Sequence, residues 1–537
     1  MSKEYHNIMG LSRHFRRNFL IFSIIGLLII SFQNCTRFNS KSNENSQQND
    51  TTEGNGQGYD GKIRIVQHFD STQKYWCKNQ EVPESILYQK SESDGWYFIK
   101  NYTVPCQSAP AIKVTGVIYD DSLKKATYLN KEYLAPKPIL VTSNEDANSH
   151  DVNVYDGVCQ GENGLCSLRA AIEQASANIN TSDVDVVVPG GIYKLSAPLI
   201  LHLPMYKDPH QLNIKGEHQN VTLIDGLGLT NILIIDGDSG TANISNITFQ
   251  NASNSKGDLG AAITLTSSFY AELNISNCRF DGNANSHDIS ALLSAGKLNI
   301  SQSQFTNNKT KSVASIITFG TKLHIEDSII SNNAGFGVIV QNRTYNVTIN
   351  RTSIFDNGSI GVYFYECKDC RIENSTLYRN KGGLFVTTVH PNPDSTYSIN
   401  VINSTLVDNG TMGNINLTLA NPSTPLLLTN SVLANHNTAP NCASSSVIHP
   451  IVSTNSLIDD LSCSISGSGN LTQIDPLLGP LSFSGGLTPT LSPLVGSPLV
   501  DAGDNATCLS ADQRGRSRPI DKLGSGALCD IGAVEVQ

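Results

Sequence analysis

From residue 243 onward, short segments of alternating apolar and polar residues repeat along the chain. NISNITFQN, NISNCRFDGN, NISQSQFTNN, HIEDSIISNN, TINRTSIFDN, RIENSTLYRN, NVINSTLVDN and LLTNSVLANH each carry an apolar residue and a second one five positions later. The pairs are Ile244/Phe249, Ile275/Phe280, Ile300/Phe305, Ile325/Ile330, Ile349/Ile354, Ile372/Leu377, Val401/Leu406 and Leu428/Leu433, and their first members recur every 23–31 residues. A helical repeat would need long stretches of 3.6-residue period, whereas these segments are short, β-branched and rich in Asn. Between them lie AAITLT, ISALLS, ASIITFG, FGVIVQ, IGVYFY and GLFVTT, which read as second strands. Each coil therefore supplies at least two strands and several turns. Stacked coils set each strand beside its equivalent about 4.8 Å away, with like apolar side chains on top of each other. The pattern predicts an all-β fold, a parallel β-helix, right-handed by the usual hand of parallel crossovers. Asn283, Asn308, Asn333, Asn357, Asn380 and Asn409 each follow a second apolar residue by three places. They read as turn residues that tolerate positive φ and whose amides bond the next coil. A sugar- or ice-binding ladder is the alternative.

The flanks differ. Asp156 to Asn178 reads DGVCQGENGLCSLRAAIEQASAN. Ser167 can N-cap a helix whose Leu168, Ala171, Ile172 and Ala175 share one face, a short cap for the open end of the stack. Residues 62–142 hold five alternating runs with a hairpin turn at Ser93-Asp94-Gly95, and predict a small antiparallel β domain with Trp76 and Trp96 as packing residues. The helix proper is expected over 150–440, and 441–537 are expected to supply C-terminal coils and a cap.

The N-terminus carries Arg13, Arg16 and Arg17, then an uncharged run from Phe19 to Phe32, then Cys35 and a polar stretch. The run is too short for a comfortable membrane span and fits the apolar core of an export signal. The order resembles a bacterial lipoprotein signal over 1–35, followed by a flexible tether over 36–61. That resemblance implies lipidation at Cys35 and a membrane-anchored protein of the outer membrane or cell surface. Asn34 stands where such signals usually carry a small residue before the Cys. An uncleaved anchor is the alternative.

Charged residues are only 16% of the 537, and the net charge of −10 is spread thinly, which excludes long coiled coils and the basic face of a nucleic-acid binder. The 12 cysteines suit an oxidising compartment. Near neighbours suggest the pairs Cys77/Cys106, Cys159/Cys166, Cys367/Cys370, Cys442/Cys463 and Cys508/Cys529, although sequence does not fix connectivity. Cys278 is then left as a buried free thiol, at a repeat position where a small apolar residue fits.

CSLRAAIEQASAN resembles the CSLREA-type signature that opens many bacterial β-helix surface proteins. GSPLVDAGDNATC, DQRGRSRPID and CDIGAVE, between Gly496 and Glu535, are similar to a choice-of-anchor Q type C-terminal domain. The resemblance covers roughly residues 150–537 and implies a right-handed, pectin-lyase-like β-helix on the cell envelope, with no established reaction.

Candidate chemistry is sparse. On this fold, lyases need a base and hydrolases need paired carboxylates. Acidic residues in register on the intervening strands are not found. The richest local cluster is Arg343, Tyr345, Tyr363, Tyr365, Glu366, Lys368, Asp369 and Arg371, with His390 and Asp394 one coil on. Its aromatic and charged groups could hold a glycan; a solvated rim with two packed tyrosines is the plainer alternative. Asp501, Asp504, Asp512 and Arg514 could form an ion-paired cap or hold calcium. No other metal or cofactor is expected. His202, His210 and His218 read as surface residues. The sequence thus points to a monomeric, lipid-anchored envelope protein displaying a non-catalytic binding surface for glycans or cell-surface partners. A polysaccharide lyase or glycoside hydrolase is the alternative.

Overall fold

The computed structural model describes the backbone of seven strands between Ile63 and Leu134, and residues 138–537 apart from 147–149, 155–156, 180–182, 205–209, 238, 255–260, 267–269, 286–290, 310–313, 342–343, 389–397, 420–424, 437–438, 444–450 and 522–525. Cys35, the tether, Cys77, Cys106, Arg343, His390 and Asp394 lie outside the described residues.

The apolar pairs spaced five apart explain the coil. In one straight strand, residues an odd number apart point to opposite faces. Both members are nevertheless buried in one core. The chain resolves this with a sharp corner between them. Asn246, Asn277, Gln302, Asp327, Arg351, Asn374, Asn403, Asn430 and Asn455 sit at positive φ, between +44° and +62°. Each repeat segment is thus two strands, and each complete coil has three. Ile244, Ile275, Ile300 and Ile325 stack in register on a first sheet of thirteen strands. Phe249, Phe280 and Phe305 stack on a second sheet of twelve, with ring centroids 5.1 and 4.4 Å apart. The intervening apolar runs form a third sheet of nine strands, which sends Leu292, Ile316, Val338, Val362 and Leu384 inward. Pairing within the three sheets is parallel throughout.

Two side-chain ladders hold neighbouring coils in register. The column Asn283, Asn308, Asn333, Asn357, Asn380 and Asn409 is buried. The Asn308 carboxamide oxygen accepts from both the backbone and side-chain nitrogens of Asn283, at 3.1 and 3.0 Å, and the pattern repeats up the stack. Positive φ falls one residue earlier, at Gly282, Asn307, Asn332, Asp356, Arg379 and Asp408. The Asn column is therefore an internal amide ladder, and the strained turn position belongs to its neighbour. A second ladder runs through Ser303, Ser328, Thr352, Ser375, Ser404, Ser431 and Ser456, where hydroxyls accept from the backbone amide one coil away. Cys278 occupies this column. Its buried thiol donates to the carbonyls of Ser276 and Ile244, and burial pushes its pKa up to about 12. The column holds the apolar Ile247 on the preceding coil and the hydrogen-bonding Ser303 on the next. Space between coils is tight at the corners: a Cβ on Gly320 would overlap the Gly296 carbonyl oxygen.

Helix α1 (Leu168–Asn178) packs against the first coils. Ser167 caps it by accepting from the Ala170 amide at 3.0 Å, and Leu168, Ala171, Ile172 and Ala175 are all buried. Leu168 and Ile172 line the same apolar space as Leu199, Ile214 and Ile224. Arg169 is clamped by both oxygens of Asp146, at 2.8 and 3.0 Å. Disulfides join Cys159–Cys166, Cys367–Cys370, Cys442–Cys463 and Cys508–Cys529.

Three features differ from expectation. The N-terminal sheet is mixed rather than antiparallel: Ile63–Val66 pairs parallel with both Pro83–Ser91 and Lys131–Leu134. The connection from residue 67 to 82 has the length that a parallel crossover requires. Ile139–Leu140 belongs to the first sheet of the β-helix, not to the small domain. Further coils run past residue 440 to Leu471–Thr472, within the stretch from which C-terminal coils are expected. Residues beyond it do not close the end as a cap. They fold back as a strap along the outer side of the second sheet. Leu491, Leu499 and Ile531 pack on the outward-facing Val407, Val432, Ala434 and Leu457, forming a second core.

Candidate functional site

The predicted aromatic and charged cluster lies at the corner between the third-sheet strand Ile360–Tyr365 and the first-sheet strand Asp369–Glu373. Only Glu366, Cys367 and Lys368 make this turn, and Cys367–Cys370 pins it. Alternation sends Val362 and Phe364 into the core and Tyr363 and Tyr365 outward. Tyr363 is nevertheless only 3% exposed. It belongs to an outward apolar column, Leu293, Ile317, Ile339, Tyr363 and Phe385, in register from coil to coil. Its ring packs edge-on against Phe385 at 5.3 Å, so its face is not open to a ligand. Tyr365 is half-buried and Glu366 is buried at φ 53°. The Glu366 amide donates to the Thr387 carbonyl. On the open side of the corner, the Lys368 ammonium lies 5.4 Å from the Tyr345 ring centroid, a cation–π contact. Asp369 and Arg371 stand beside each other on the first sheet, 3.5 Å apart. The corner therefore splits the cluster: Tyr363 is packing, whereas Tyr345, Lys368, Asp369 and Arg371 border the outer face of the first sheet.

That face is the larger feature. Its strands bury alternate residues and present the others outward in straight columns. One column runs Asp185, Asn213, Asn243, Asn274, Asn299, His324, Thr348, Arg371 and Asn400. Its first five members form an open amide ladder: each Asn side-chain nitrogen donates 2.7 Å to the oxygen one coil back, ending on the Asp185 carboxylate. The adjacent column runs Ser245, Ser276, Ser301, Glu326, Asn350, Glu373 and Ile402. Charge collects at the other edge of this face, beside the corner between the first and second sheets. Arg351 donates to both oxygens of Asp327, at 2.8 and 2.9 Å, and contacts Glu326 Oε1 at 2.8 Å. Asn350 also donates to Glu326 Oε1, at 3.1 Å, and His324 Nε2 lies 3.8 Å from Oε2. Glu373 lies 3.8 Å from the Arg371 guanidinium. Burial raises its carboxyl above the usual range against the pull of Arg371 and His324, and the charge of Asp369 adds to the rise. His324, Glu326, Arg351 and Glu373 escape a search for acids confined to the intervening strands. They were legible as the residues flanking the anchors Ile325, Ile349 and Ile372.

The acidic segments near the C-terminus are built for the strap. Asp512 is fully buried; its Oδ1 accepts from the amides of Arg514 and Arg516, and its Oδ2 from Arg514 Nε and the Glu535 amide. With both oxygens bonded to N–H groups, this carboxylate does not fit a calcium ligand. Asp504 accepts from Ala506 and Thr507 in its own turn, and Asp501 donates its amide to Asp530. Among the described residues no group of three or more His, Cys, Asp or Glu is placed to hold a metal ion. His202 pairs with Asp236 at the surface and His218 accepts from the Asn220 amide, but His210 is buried, 3.5 Å from Asp183.

No curated protein matches the chain. A family model described as a right handed beta helix region matches residues 230–405. Among solved structures, the chain is similar to pectate lyase Pel9A at 13% identity, over 74% of this chain and 98% of that one, with a TM-score of 0.41. It is similar to the A-module of mannuronan C-5 epimerase AlgE4 from Azotobacter vinelandii at 12% identity, over 57% and 93%, with a TM-score of 0.31. It is similar to the catalytic unit of a GH87 alpha-1,3-glucanase from Streptomyces thermodiastaticus at 12% identity, over 64% and 72%, with a TM-score of 0.27. The three-sheet coil and the matched region together make this chain a right-handed parallel β-helix.

Proposed function

We propose that the protein is a lipid-anchored envelope protein whose β-helix presents the outer face of its first sheet to glycans. One observation carries the reading. Outward Asn, Ser, Thr and charged side chains lie in straight columns across successive coils, and their register is fixed by the parallel pairing of the strands that carry them. A flat, rigid row of donors and acceptors meets repeating hydroxyl groups with little ordering cost. Lys368, Tyr345 and Arg371 at the corner add charged and aromatic contacts. The disulfides and the basic, apolar, Cys35 sequence support an exported, membrane-attached setting.

The direct test is a glycan array probed with the 62–537 fragment, followed by pull-down of the retained polymers. Replacing Asn243 and Asn274 together by Leu should abolish retention while thermal melting is preserved. Retention unchanged by that pair would reject this face as the binding surface. For the anchor, Cys35→Ser should move the protein from the membrane fraction to the soluble one; a variant that stays in the membrane fraction would reject lipid attachment at Cys35.

A further inference from the structure

The corner that follows the second sheet carries a second polar site, apart from the first sheet. Its positive-φ column runs Gly282, Asn307 and Asn332 and then turns charged at Asp356, Arg379 and Asp408. Two residues on, the column reads Ala334, Gly358, Lys381 and Gly410, so Lys381 has glycine on both neighbouring coils. Beside it lies a cleft of about 520 Å³, lined by Arg379, Asn380, Lys381, Asp408, Gly410 and His436. That volume is in the range of small-molecule sites. Two of its basic side chains are held in place. Arg379 donates from Nε and Nη2 to the two oxygens of Asp356, at 2.8 and 2.7 Å, and its guanidinium lies 4.9 Å from the Tyr378 ring centroid. Nη1 takes no part in that fork, and the side chain is 54% exposed. His436 comes from the next coil. Its amide donates to Asp408 Oδ1 at 2.7 Å, and its Nδ1 lies 3.1 Å from the same oxygen. A carboxylate at Nδ1 keeps the proton there, so Nε2 becomes a donor when the ring is charged.

We propose that this cleft binds an oxyanion, the carboxylate of a uronate or a phosphate, with Arg379 Nη1, Lys381 Nζ and His436 Nε2 as its donors. The charge balance favours an anion. Asp356 balances Arg379, and Asp408 balances a protonated His436, so Lys381 gives these five groups a positive excess. Arg379 and His436 are oriented by their aspartates before any ligand arrives, so little side-chain freedom is lost on binding. The planar guanidinium can serve Asp356 along one edge and an oxyanion along the other. Gly410 puts no side chain between them: a Cβ there would already stand 3.3 Å from the Lys381 carbonyl oxygen. One acid works against the site. Asp475 Oδ1 lies 3.9 Å from His436 Nε2 on a side chain that is 61% exposed, and it competes with a ligand for that nitrogen. The outer face of the first sheet contributes nothing to this cleft, so the site stands independently of the glycan-binding reading.

The test titrates the full-length protein by calorimetry at about pH 6, in the range where imidazoles carry charge, with galacturonate, inorganic phosphate and glucose. The expected result is saturable binding of at least one anion and none of glucose. Binding of galacturonate alone assigns the site to an acidic sugar, and binding of phosphate alone to a phosphoryl group. Lys381→Ala and Arg379→Met should each weaken binding about tenfold or more, the worth of one charge-assisted hydrogen bond. Lys381→Ala shortens an exposed side chain and should leave thermal melting unchanged. Asp475→Asn should tighten binding about two- to fivefold, because it removes the competing charge and keeps the oxygen that accepts from the Leu477 amide. Lys309→Ala, at the equivalent position three coils earlier, should change nothing. Binding of neither anion, glucose bound as tightly as the anions, or affinity unchanged in both Lys381→Ala and Arg379→Met would overturn the site. An equal loss in Lys309→Ala would reduce it to a general surface attraction and overturn it as well.

Discussion

The outer faces of the first and second sheets are built by the same alternation and end in opposite fates. On the second sheet, outward residues from Ser353 onward meet the strap. The Ser353 hydroxyl donates to the Pro489 carbonyl, Thr376 donates to Gln513, and Val407, Val432 and Leu457 disappear under Leu491, Leu499 and Ile531. On the first sheet, the outward Asn, Ser and Thr residues bond mainly to one another and stay at the surface. A sheet face is thus structural or open according to the chemistry of every second residue. Apolar outward residues recruit chain from far away in sequence; self-satisfied polar ladders do not. The strap has its own price in buried charge. Arg518 is fully buried among Glu535, Asp512 and Asp530, bonded to the Gly532 carbonyl at 3.1 Å and to Asn374 at 3.1 Å.

Putting one charge on each face would test the contrast most sharply. Val432→Asp buries an unpaired carboxylate under the strap and should cost on the order of 3–5 kcal/mol in urea unfolding. Thr348→Asp, on the open face between His324 and Arg371, should stay within about 0.5 kcal/mol. Equal losses would show that the two faces do not differ as described. Arg518→Met should come next, at about 3 kcal/mol, because it leaves Glu535 and Asp530 buried without their cation. Within the shared core, Asn333→Ala removes one rung of the amide ladder and orphans the Asn308 amide, for about 1–3 kcal/mol. Acidification should act on the strap. Burial raises the carboxyls of Asp530 and Glu535 above their usual range. In the window between the ordinary and the raised values, the folded state binds more protons than the unfolded one, so stability falls as pH rises through it. Amide exchange over 499–535 should therefore be slower at about pH 5 than predicted from its rate at about pH 7.5 after correction for intrinsic chemistry; no difference would place these groups outside the stability balance. The smallest effect is expected for Cys278→Ser, under about 1 kcal/mol by thermal melting, since serine already fills that column in the two following coils.

Much of the winding was legible. The paired anchors, their 23–31-residue recurrence and the Asn column located the coils and the core. Even the corner was readable, since two inward residues five apart cannot share one straight strand. Less of the site could be read. Glu326 and Glu373 are 47 positions apart in a chain whose coils vary in length, and their alignment appears only when the anchors Ile325 and Ile372 are laid over each other. Tyr363 looked like a ligand platform because alternation turns it outward, yet its neighbours in the column are also apolar and the column is buried.

The sequence by itself determined the repeat, the inward residues and the identity of each ladder, because these follow from local period and from like side chains falling on like. Only the tertiary structure decided which outward columns are covered and which remain open. The strap's residues 473–537 carry no repeat, and nothing local says that Leu499 and Ile531 will lie on Val432 rather than over the end of the stack. Burial of an outward face is a property of two distant segments together, and a one-dimensional pattern records each of them alone.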